Sequence, residues 1–277
     1  MLCPLPVITA VLIKSYWKQG PTVNFISKAT IKAILMLPDV IFFDLDDTLI
    51  DHGTAARSAL SKLQEEYEVL GAIELDELEM LWQKDFQKYW ELLILNRITI
   101  QENWAARFRN LFETVGHSIG GDELGKLVSD YGELYISGTS AIPGAAEILK
   151  KAREHGVTVS VITNNIAEMQ YRKVKHCGLD GYIDSMTISQ DYGIMKPDPE
   201  IFRIAMRKTG TLPEKSLMVG DSLDSDILGA IGVGIKPVWF NRFGIENGAA
   251  EVEVPILDGY QPTDRAWDSM ISAFSGH

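Results

Sequence analysis

Cysteine is scarce in this sequence, with only Cys3 and Cys177 among 277 residues. Two cysteines are too few for a disulfide framework and indicate a reducing compartment, so we expect a cytoplasmic protein. Basic residues are also in the minority, because 26 Lys and Arg stand against 38 Asp and Glu, for a net charge of −12. A nucleic-acid partner is therefore not expected, since phosphate backbones are bound mainly through clustered Lys and Arg.

Long hydrophobic runs are absent as well. No run approaches the ~18 apolar residues of a membrane-spanning helix, so no membrane partner is expected. The 46% hydrophobic content nevertheless supports a real core for one large or two modest domains. Residues 1–38 differ from the rest because they contain no acidic residue. Without a basic segment before the apolar stretch 7–13 or a small-residue cleavage site after it, we interpret them as an N-terminal extension of unclear role.

Short apolar runs alternate with helical patterns after Asp39. The runs predicted as strands are Val40–Phe43, Val157–Ile162, Met186–Ser189, Ser216–Val219 and Pro237–Phe240. The helices predicted between them are Ala145–His155, Ala167–Cys177 and Pro199–Thr209, the last with Asp198 as its N-cap. Continuous apolar runs are typical of strands buried on both faces, and strand–helix alternation predicts an α/β fold with a doubly wound parallel sheet.

Residues 54–138 interrupt this alternation. Apolar and aromatic residues recur there at helical spacing, which predicts an inserted bundle of about four helices. We interpret the aromatic stripe mainly as the core of this bundle, with a minority of its residues facing a substrate. The predicted organisation is therefore a core made of residues 39–53 and 139–277 with a helical domain, 54–138, inserted after the first strand.

Polar residues stand at the predicted strand ends, where sites form in a doubly wound sheet. Those collected from four segments are Asp44, Asp46, Thr48, Thr163, Asn164, Lys196, Asp221, Asp224 and Asp226. Each residue alone is also typical of a helix cap or a turn, but carboxylates from two strands without clustered arginines indicate a hard cation. An oxygen-only ligand set suits Mg²⁺. A hydroxyl and backbone N–H groups beside one lysine would hold a phosphate group.

These residues fall into four ordered motifs that resemble those of the haloacid dehalogenase-like (HAD) hydrolases. The motifs are Asp44-x-Asp46-x-Thr48, Thr163 at a strand end, Lys196 of "KPDPEIF" and "GDSLDSD" at Gly220–Asp226. The helical insertion resembles the C1 cap of that superfamily, and its core is Rossmann-like. The resemblance covers roughly residues 39–245. Local stretches such as "LNRIT" and "VWFNRFG" are similar to its pyrimidine nucleotidase and N-acylneuraminate-9-phosphatase branches.

The resemblance implies a role for each motif residue. Asp44 would attack phosphorus and form an aspartyl-phosphate, while Asp46 would protonate the leaving oxygen and then deprotonate water. The side chains of Asp44 and Asp221, with the backbone carbonyl of Asp46, would hold Mg²⁺. The residues implied to bind the substrate phosphate are Thr163, Asn164 and Lys196.

The remaining acidic residues are assigned less directly. Asp226 fits the second acidic position of the fourth motif better than Asp224, and we expect Asp226 to hold a metal-bound water while Asp224 caps the following helix. Thr48 is expected to stabilise the loop after the nucleophile. Asp47 and Asp51 are expected to be turn and hinge residues.

The function implied is a Mg²⁺-dependent phosphomonoester hydrolase acting on a small phosphate ester, such as a nucleoside monophosphate or a sugar phosphate. Asp46 favours this over a dehalogenase, which has no leaving-group oxygen to protonate. The alternative is a sugar-phosphate mutase of the β-phosphoglucomutase type, and a noncatalytic binding module ranks below both. Arg97 and Arg107 are the candidate cations of the cap, each weighed against a solvated helix-face charge. The exact substrate and the oligomeric state stay open.

Overall fold

The computed structural model describes residues 37–84, 86–245 and 253–276, with the side chains of residues 86 and 87 left aside. The prediction for the N-terminal extension falls on residues 1–36, outside the described residues. The described strands are β1 (Val40–Phe43), β2 (Thr158–Thr163), β3 (Ser185–Ile188), β4 (Ser216–Gly220), β5 (Lys236–Phe240) and β6 (Ile256–Leu257). They form one sheet in the order β3-β2-β1-β4-β5-β6.

The sheet is parallel throughout, and β1 lies in its middle. All four residues of β1 are buried, as expected for a strand covered on both faces. Phe43 pairs with Val161 of β2 on one side and with Val219 of β4 on the other. The predicted fold class is therefore confirmed. The strand β6 was not predicted, because two residues are too few to produce a recognisable pattern.

A group of helices lies between β1 and β2 in the sequence. They are α1 (His52–Glu66), α2 (Glu68–Gly71), α3 (Leu75–Gln83), α4 (Phe86–Ile94), α5 (Ile100–Thr114) and α6 (Gly121–Gly138). We call residues 52–138 the helical insertion. The prediction of about four helices was too low, since six are present in the described part. The difference arises from the single turn α2 and from the break near Lys84 that separates α3 from α4.

The helical insertion has an apolar core of its own, rich in aromatic rings. The Trp82 ring lies 4.5 Å from that of Phe108 and 4.7 Å from that of Tyr131. The Trp104 ring meets Tyr131 edge-on at 5.2 Å. Separations of this size are favourable for aromatic pairs, so the predicted stripe does form the core of the bundle.

The two ends of the helical insertion lie beside each other. Ile50 forms an antiparallel bridge with Ala141, and the Asp51 N–H donates to the Ser140 carbonyl at 2.9 Å. The chain therefore leaves the sheet and returns to it at neighbouring positions.

The remaining helices flank the sheet. They are α7 (Ala145–Glu154), α8 (Ala167–His176), α9 (Ser189–Tyr192), α10 (Pro199–Thr209), α11 (Gly229–Gly232) and α12 (Thr263–Ser275), with a π-helical turn at Leu223–Leu228. Three of these helices were predicted within one residue. The Asp198 carboxylate caps α10 by accepting the Glu200 N–H at 2.8 Å, as expected. Within the described residues, no helix is long and apolar enough to cross a membrane.

Candidate active site

Three predicted site residues stand at the carboxyl ends of adjacent parallel strands. Asp44 follows β1, Thr163 ends β2 and Asp221 follows β4. The Asp44 N–H donates to the carbonyl of Val219 at 2.9 Å, which fixes the nucleophile candidate against β4. Because parallel strands end at the same edge of a sheet, the register alone brings these residues together.

A buried lysine joins two of the carboxylates. Lys196 Nζ donates to Asp44 Oδ1 at 2.5 Å, to Asp226 Oδ1 at 2.6 Å and to the Ile162 carbonyl at 2.7 Å. All three donor positions of the ammonium are therefore used. Burial alone would lower the pKa of Lys196, but Asp226 and Asp44 outweigh it and raise the pKa above its ordinary value. The lysine is consequently a fixed positive charge at the sheet edge.

The acidic residues at this edge of the sheet carry more negative charge than one lysine neutralises. Carboxylate oxygens of Asp44, Asp221 and Asp226 lie within 4.8 Å of one another. Burial raises the pKa of Asp44 well above its ordinary value, with Asp226 and Asp221 adding to the shift and Lys196 opposing it. Burial and the charge of Asp226 likewise raise the pKa of Asp221 to about 7. Three oxygen donors with excess negative charge fit a hard divalent cation such as Mg²⁺.

Asp226 lies inside this acidic group rather than behind it. Its carboxylate also accepts the Ser222 N–H at 3.0 Å. A Cβ added at Gly220 would lie 2.4 Å from the Asp226 carboxylate, so only glycine allows this close approach at the end of β4. Asp224 is exposed, and the helical turn is capped by the Ser222 hydroxyl, which accepts the Ser225 N–H at 3.2 Å. The expectation that Asp224 is the cap was therefore wrong.

The side chain of Asp46 points away from the acidic group, toward α8. Its carboxylate accepts hydrogen bonds from Lys173 Nζ, from Asn165 Nδ2 at 2.9 Å and from Gln170 Nε2 at 3.0 Å. Burial would raise the pKa of Asp46, but Lys173 and His52 together with these hydrogen bonds hold it well below its ordinary value. The predicted proton donor is thus an ionised carboxylate in this conformation.

Two threonines are buried beside these acids. Thr48 Oγ1 donates to Asp221 Oδ1 at 3.2 Å, so it holds one member of the acidic group. Thr163 Oγ1 accepts from Gln170 Nε2 at 2.6 Å. Because a hydroxyl has one proton to give, accepting this bond leaves the Thr163 O–H able to donate to another oxygen.

Asn164 anchors the loop that carries the lysine. Its Oδ1 accepts the Lys196 N–H at 2.8 Å, and its Nδ2 donates to the Lys196 carbonyl at 2.9 Å. The Asn164 side chain is therefore used in fixing Lys196, while its own backbone N–H is the group predicted to bind phosphate. The position of Lys196 therefore depends on its contact with Asn164, which is distant in the sequence.

The acidic residues after β1 are tied to β5 by one arginine. Arg242 Nη2 donates to Asp47 Oδ1 at 3.0 Å and to Asp51 Oδ1 at 3.1 Å, and Nη1 donates to Asp51 Oδ2 at 3.1 Å. Asp47 has a positive φ of 60°, and Asp51 caps α1 by accepting the Thr54 N–H at 3.1 Å. Both residues therefore shape the turn that leads into the helical insertion.

The sequence prediction missed the group around Asp46. Lys173 is completely buried and Gln170 as well, although both look like ordinary polar positions of a helix. One signal was available: Lys173 lies four residues after the buried Met169 and directly before the buried Val174, on the apolar face of α8. The sequence does not mark Arg242 as a partner of Asp47 and Asp51, apart from its position after a predicted strand.

The two candidate cations of the insertion lie in different surroundings. Arg97 is exposed, as the solvated alternative expected. Arg107 is buried, and its Nε and Nη2 both donate to the Trp82 carbonyl. Burial lowers the pKa of Arg107 to about 10. Only Arg107 lies where a molecule inside the helical insertion would meet it.

The chain is similar to a known family over most of its length. The profile of the haloacid dehalogenase-like hydrolases matches residues 41–240. Glyceraldehyde 3-phosphate phosphatase of Pyrococcus furiosus is 31% identical over 73% of this chain and 80% of its own. Pyrimidine 5'-nucleotidase PynA of Streptococcus pneumoniae is 31% identical over 75% of this chain and 85% of its own. One relative is named a phosphatase and the other a nucleotidase.

One solved structure has a similar fold. The putative HAD-hydrolase YfnB from Bacillus subtilis, solved with bound magnesium, superposes with a TM-score of 0.65 at 22% identity. The superposition covers 83% of this chain and 98% of that one. At this identity the likeness concerns the fold alone.

Proposed function

This chain belongs to the haloacid dehalogenase-like hydrolases, and we propose that it releases phosphate from a small phosphorylated metabolite through an aspartyl-phosphate on Asp44. The predicted class of phosphomonoester hydrolase is confirmed by the phosphatases among its relatives. One observation carries the proposed mechanism: the buried Asp44 is in contact with Lys196 beside two further carboxylates. The alternative of a mutase has weaker support, because a putative β-phosphoglucomutase matches only in fold, at 17% identity.

Asp44 is placed to act as the nucleophile. Its carboxylate oxygen would form a bond to phosphorus while the bond from phosphorus to the ester oxygen breaks. Attack requires the ionised carboxylate, which burial opposes and the contact with Lys196 favours. Mg²⁺, which Asp44, Asp221 and Asp226 are suited to hold, would when bound supply the positive charge that offsets the acidic group and the transferring phosphoryl oxygens.

Two groups at the end of β2 are suited to bind the phosphoryl oxygens. The Thr163 hydroxyl accepts its hydrogen bond from Gln170, which leaves its own proton for an anionic oxygen. The N–H of Asn164 follows directly after the strand, at the edge where Asp44 lies. Lys196 would turn one of its three N–H groups from Asp226 or the Ile162 carbonyl toward the same oxygens while it remains in contact with Asp44. Catalysis at such a site is mostly positioning and charge stabilisation.

Asp46 would act as general acid in the first half of the reaction and as general base in the second. As the ionised carboxylate of this conformation, it can accept a proton from the water that hydrolyses the aspartyl-phosphate. To protonate the leaving oxygen in the first half, it must instead carry a proton and be released from Lys173, since that contact stabilises the anion. The acid step therefore needs a rotation of the Asp46 side chain or a displacement of α8.

The test compares two aspartate substitutions in the full chain. With Mg²⁺ present, Asp44→Asn should reduce the release of phosphate from a panel of phosphorylated metabolites to background, because an amide is not a nucleophile toward phosphorus. Asp224→Asn is the matched control, since Asp224 is exposed and outside the acidic group. Undiminished turnover by Asp44→Asn would disprove the mechanism.

A further inference from the structure

Gln170 of α8 carries a completely buried amide beside the candidate active site. Its Nε2 donates to Asp46 Oδ2 at 3.0 Å and to Thr163 Oγ1 at 2.6 Å. Asp46 follows β1 and Thr163 ends the neighbouring strand β2, so one nitrogen joins the ends of two adjacent strands to α8. The NH₂ group of an amide has two protons to donate, and both are used here.

The oxygen of the same amide is buried without a partner. Among the residues that the structure describes, no group forms a hydrogen bond with Gln170 Oε1. This arrangement is costly, since buried polar atoms are nearly always hydrogen-bonded. An apolar side chain would avoid the cost, and the buried positions Met169 and Val174 on the same side of α8 are apolar. Packing alone therefore does not explain a glutamine at this position.

The Asp46 carboxylate determines which way the amide of Gln170 faces. In the reversed orientation Oε1 would lie against Asp46 Oδ2, and two acceptor oxygens form no hydrogen bond with each other. The carboxylate itself is held in place, because Lys173 Nζ donates to its other oxygen, Oδ1. The nitrogen of Gln170 is therefore kept on the side of Asp46 and Thr163.

The orientation of this amide decides what the Thr163 hydroxyl can do. A hydroxyl has one proton to donate and lone pairs with which to accept. Because Nε2 donates to Thr163 Oγ1, the Thr163 proton is available for another oxygen, such as that of a phosphoryl group. If Oε1 faced the hydroxyl, the proton would be donated to Gln170 instead. Thr163 is 1% exposed, so water has little access to take the place of Gln170.

We propose that Gln170 is a positioning residue of the phosphoryl transfer. Its amide nitrogen, held by Asp46, directs the Thr163 proton toward the phosphoryl oxygens. The inference rests on the proposed function, since the phosphate concerned is the one that Asp44 would attack. Gln170 does not touch the substrate and acts only through the Thr163 hydroxyl. Its contribution should therefore appear in the affinity of the site for phosphate.

Phosphate binding can be measured without turnover. The full-length protein is titrated with inorganic phosphate in a calorimeter, with Mg²⁺ present. Gln170→Met should weaken phosphate binding about tenfold, the effect of one lost hydrogen bond to a charged group. Gln170→Glu keeps the shape of the side chain but has no N–H to donate, and it should weaken binding as well, which covers a folding failure of the first variant. Glu168→Met changes an exposed residue of the same helix and should bind phosphate as the parent does.

A double-mutant cycle with Thr163→Val tests whether Gln170 acts through the hydroxyl. Valine has nearly the shape of threonine but no O–H. In the Thr163→Val protein, Gln170→Met should cause no further loss of phosphate affinity, because no proton is left to direct. The same cycle is measured as kcat/KM for acetyl phosphate, which extends to weaker binding. Equal losses with and without the hydroxyl would show that Gln170 only packs, and they would overturn the inference. Unchanged affinity in both variants at position 170 would overturn it too.

Activity separates this inference from the proposed function. Phosphate release from acetyl phosphate by the parent, with kcat/KM reduced in Gln170→Met and unchanged in Glu168→Met, supports both. Release that no substitution at position 170 affects overturns the inference only. If the parent releases phosphate from no ester while Gln170→Met weakens phosphate binding through Thr163, the proposed function fails and the role of Gln170 is supported. A parent protein that binds no inorganic phosphate would overturn the inference.

Discussion

At the edge of the sheet, Asp44, Lys196 and Asp226 are buried against one another, whereas the helical insertion contains a small cavity. Trp104 and Tyr131 are among the aromatic rings that line this cavity. In the first region, strand register and a close glycine fix the positions of the charges. In the second, positions depend on how helices pack, and the polar groups are few. The sheet edge and the interior of the helical insertion are therefore held in place by different physical constraints. Substitutions in the two regions should therefore have distinct kinetic effects.

The largest effect is expected at the buried lysine. Lys196→Met should reduce phosphate release to background and lower the free energy of unfolding by about 3–5 kcal/mol, because two buried carboxylates lose their partner. Phosphate release and urea denaturation measure the two effects. Lys215→Met changes an exposed lysine and should alter neither. Activity within about tenfold of the parent would show that the sheet edge does not depend on Lys196 for its geometry.

Removal of divalent cations should stop phosphate release reversibly. A chelator is expected to reduce the rate to background, and added Mg²⁺ should restore it, because Lys196 offsets only part of the negative charge of Asp44, Asp221 and Asp226. Asp221→Asn should raise the Mg²⁺ concentration for half-maximal activity by at least about tenfold. The dependence of rate on Mg²⁺ concentration measures both. An unchanged rate in the chelator would contradict the assignment of the acidic group as a cation site.

A smaller effect is expected at the lysine that holds Asp46. Lys173→Met should lower kcat by about 10²-fold with little change in KM, because Asp46 loses the donor that sets its position and charge. Steady-state kinetics on acetyl phosphate and on a nucleotide measure this split. Lys175→Met, an exposed lysine of the same helix, is the control. A rise in KM without a change in kcat would mean that Lys173 acts on substrate binding instead of the chemistry.

The smallest effect is expected at a glycine behind the cavity wall. A Cβ at Gly132 would lie 2.9 Å from Trp104 Cζ3, so Gly132→Ala should push this ring toward the cavity. Because the cavity also reaches Asn165 beside Asp46, we expect KM for a nucleotide to rise about threefold to tenfold while acetyl phosphate is cleaved as before. Gly125→Ala in the same helix meets nothing within 4 Å and is the matched control. Equal losses on both substrates would mean that the two regions are coupled.

The sheet edge could be predicted from the sequence because backbone register determines it. A residue that ends a buried parallel strand is at the site edge whatever its neighbours are, so Asp44, Thr163 and Asp221 were found from strand ends alone. Lys196 lies in a loop and was found from its motif. What the sequence could not give was the direction of the Asp46 side chain, because that depends on donors from α8.

The cavity was less predictable for a related reason. Helical periodicity predicts which side of each helix is buried, but it does not distinguish a core contact from a cavity wall. Arg107 was picked out by its charge.

The bridge between Ile50 and Ala141 has a consequence for how such a protein can diversify. Because the chain departs and returns at adjoining positions, we expect that residues 52–138 can be replaced by a short turn, or by another bundle, without moving a strand of the sheet. The proposed catalytic residues of the sheet edge would keep their positions in such a chimera. One scaffold could in this way acquire a new substrate range by exchange of a single contiguous segment.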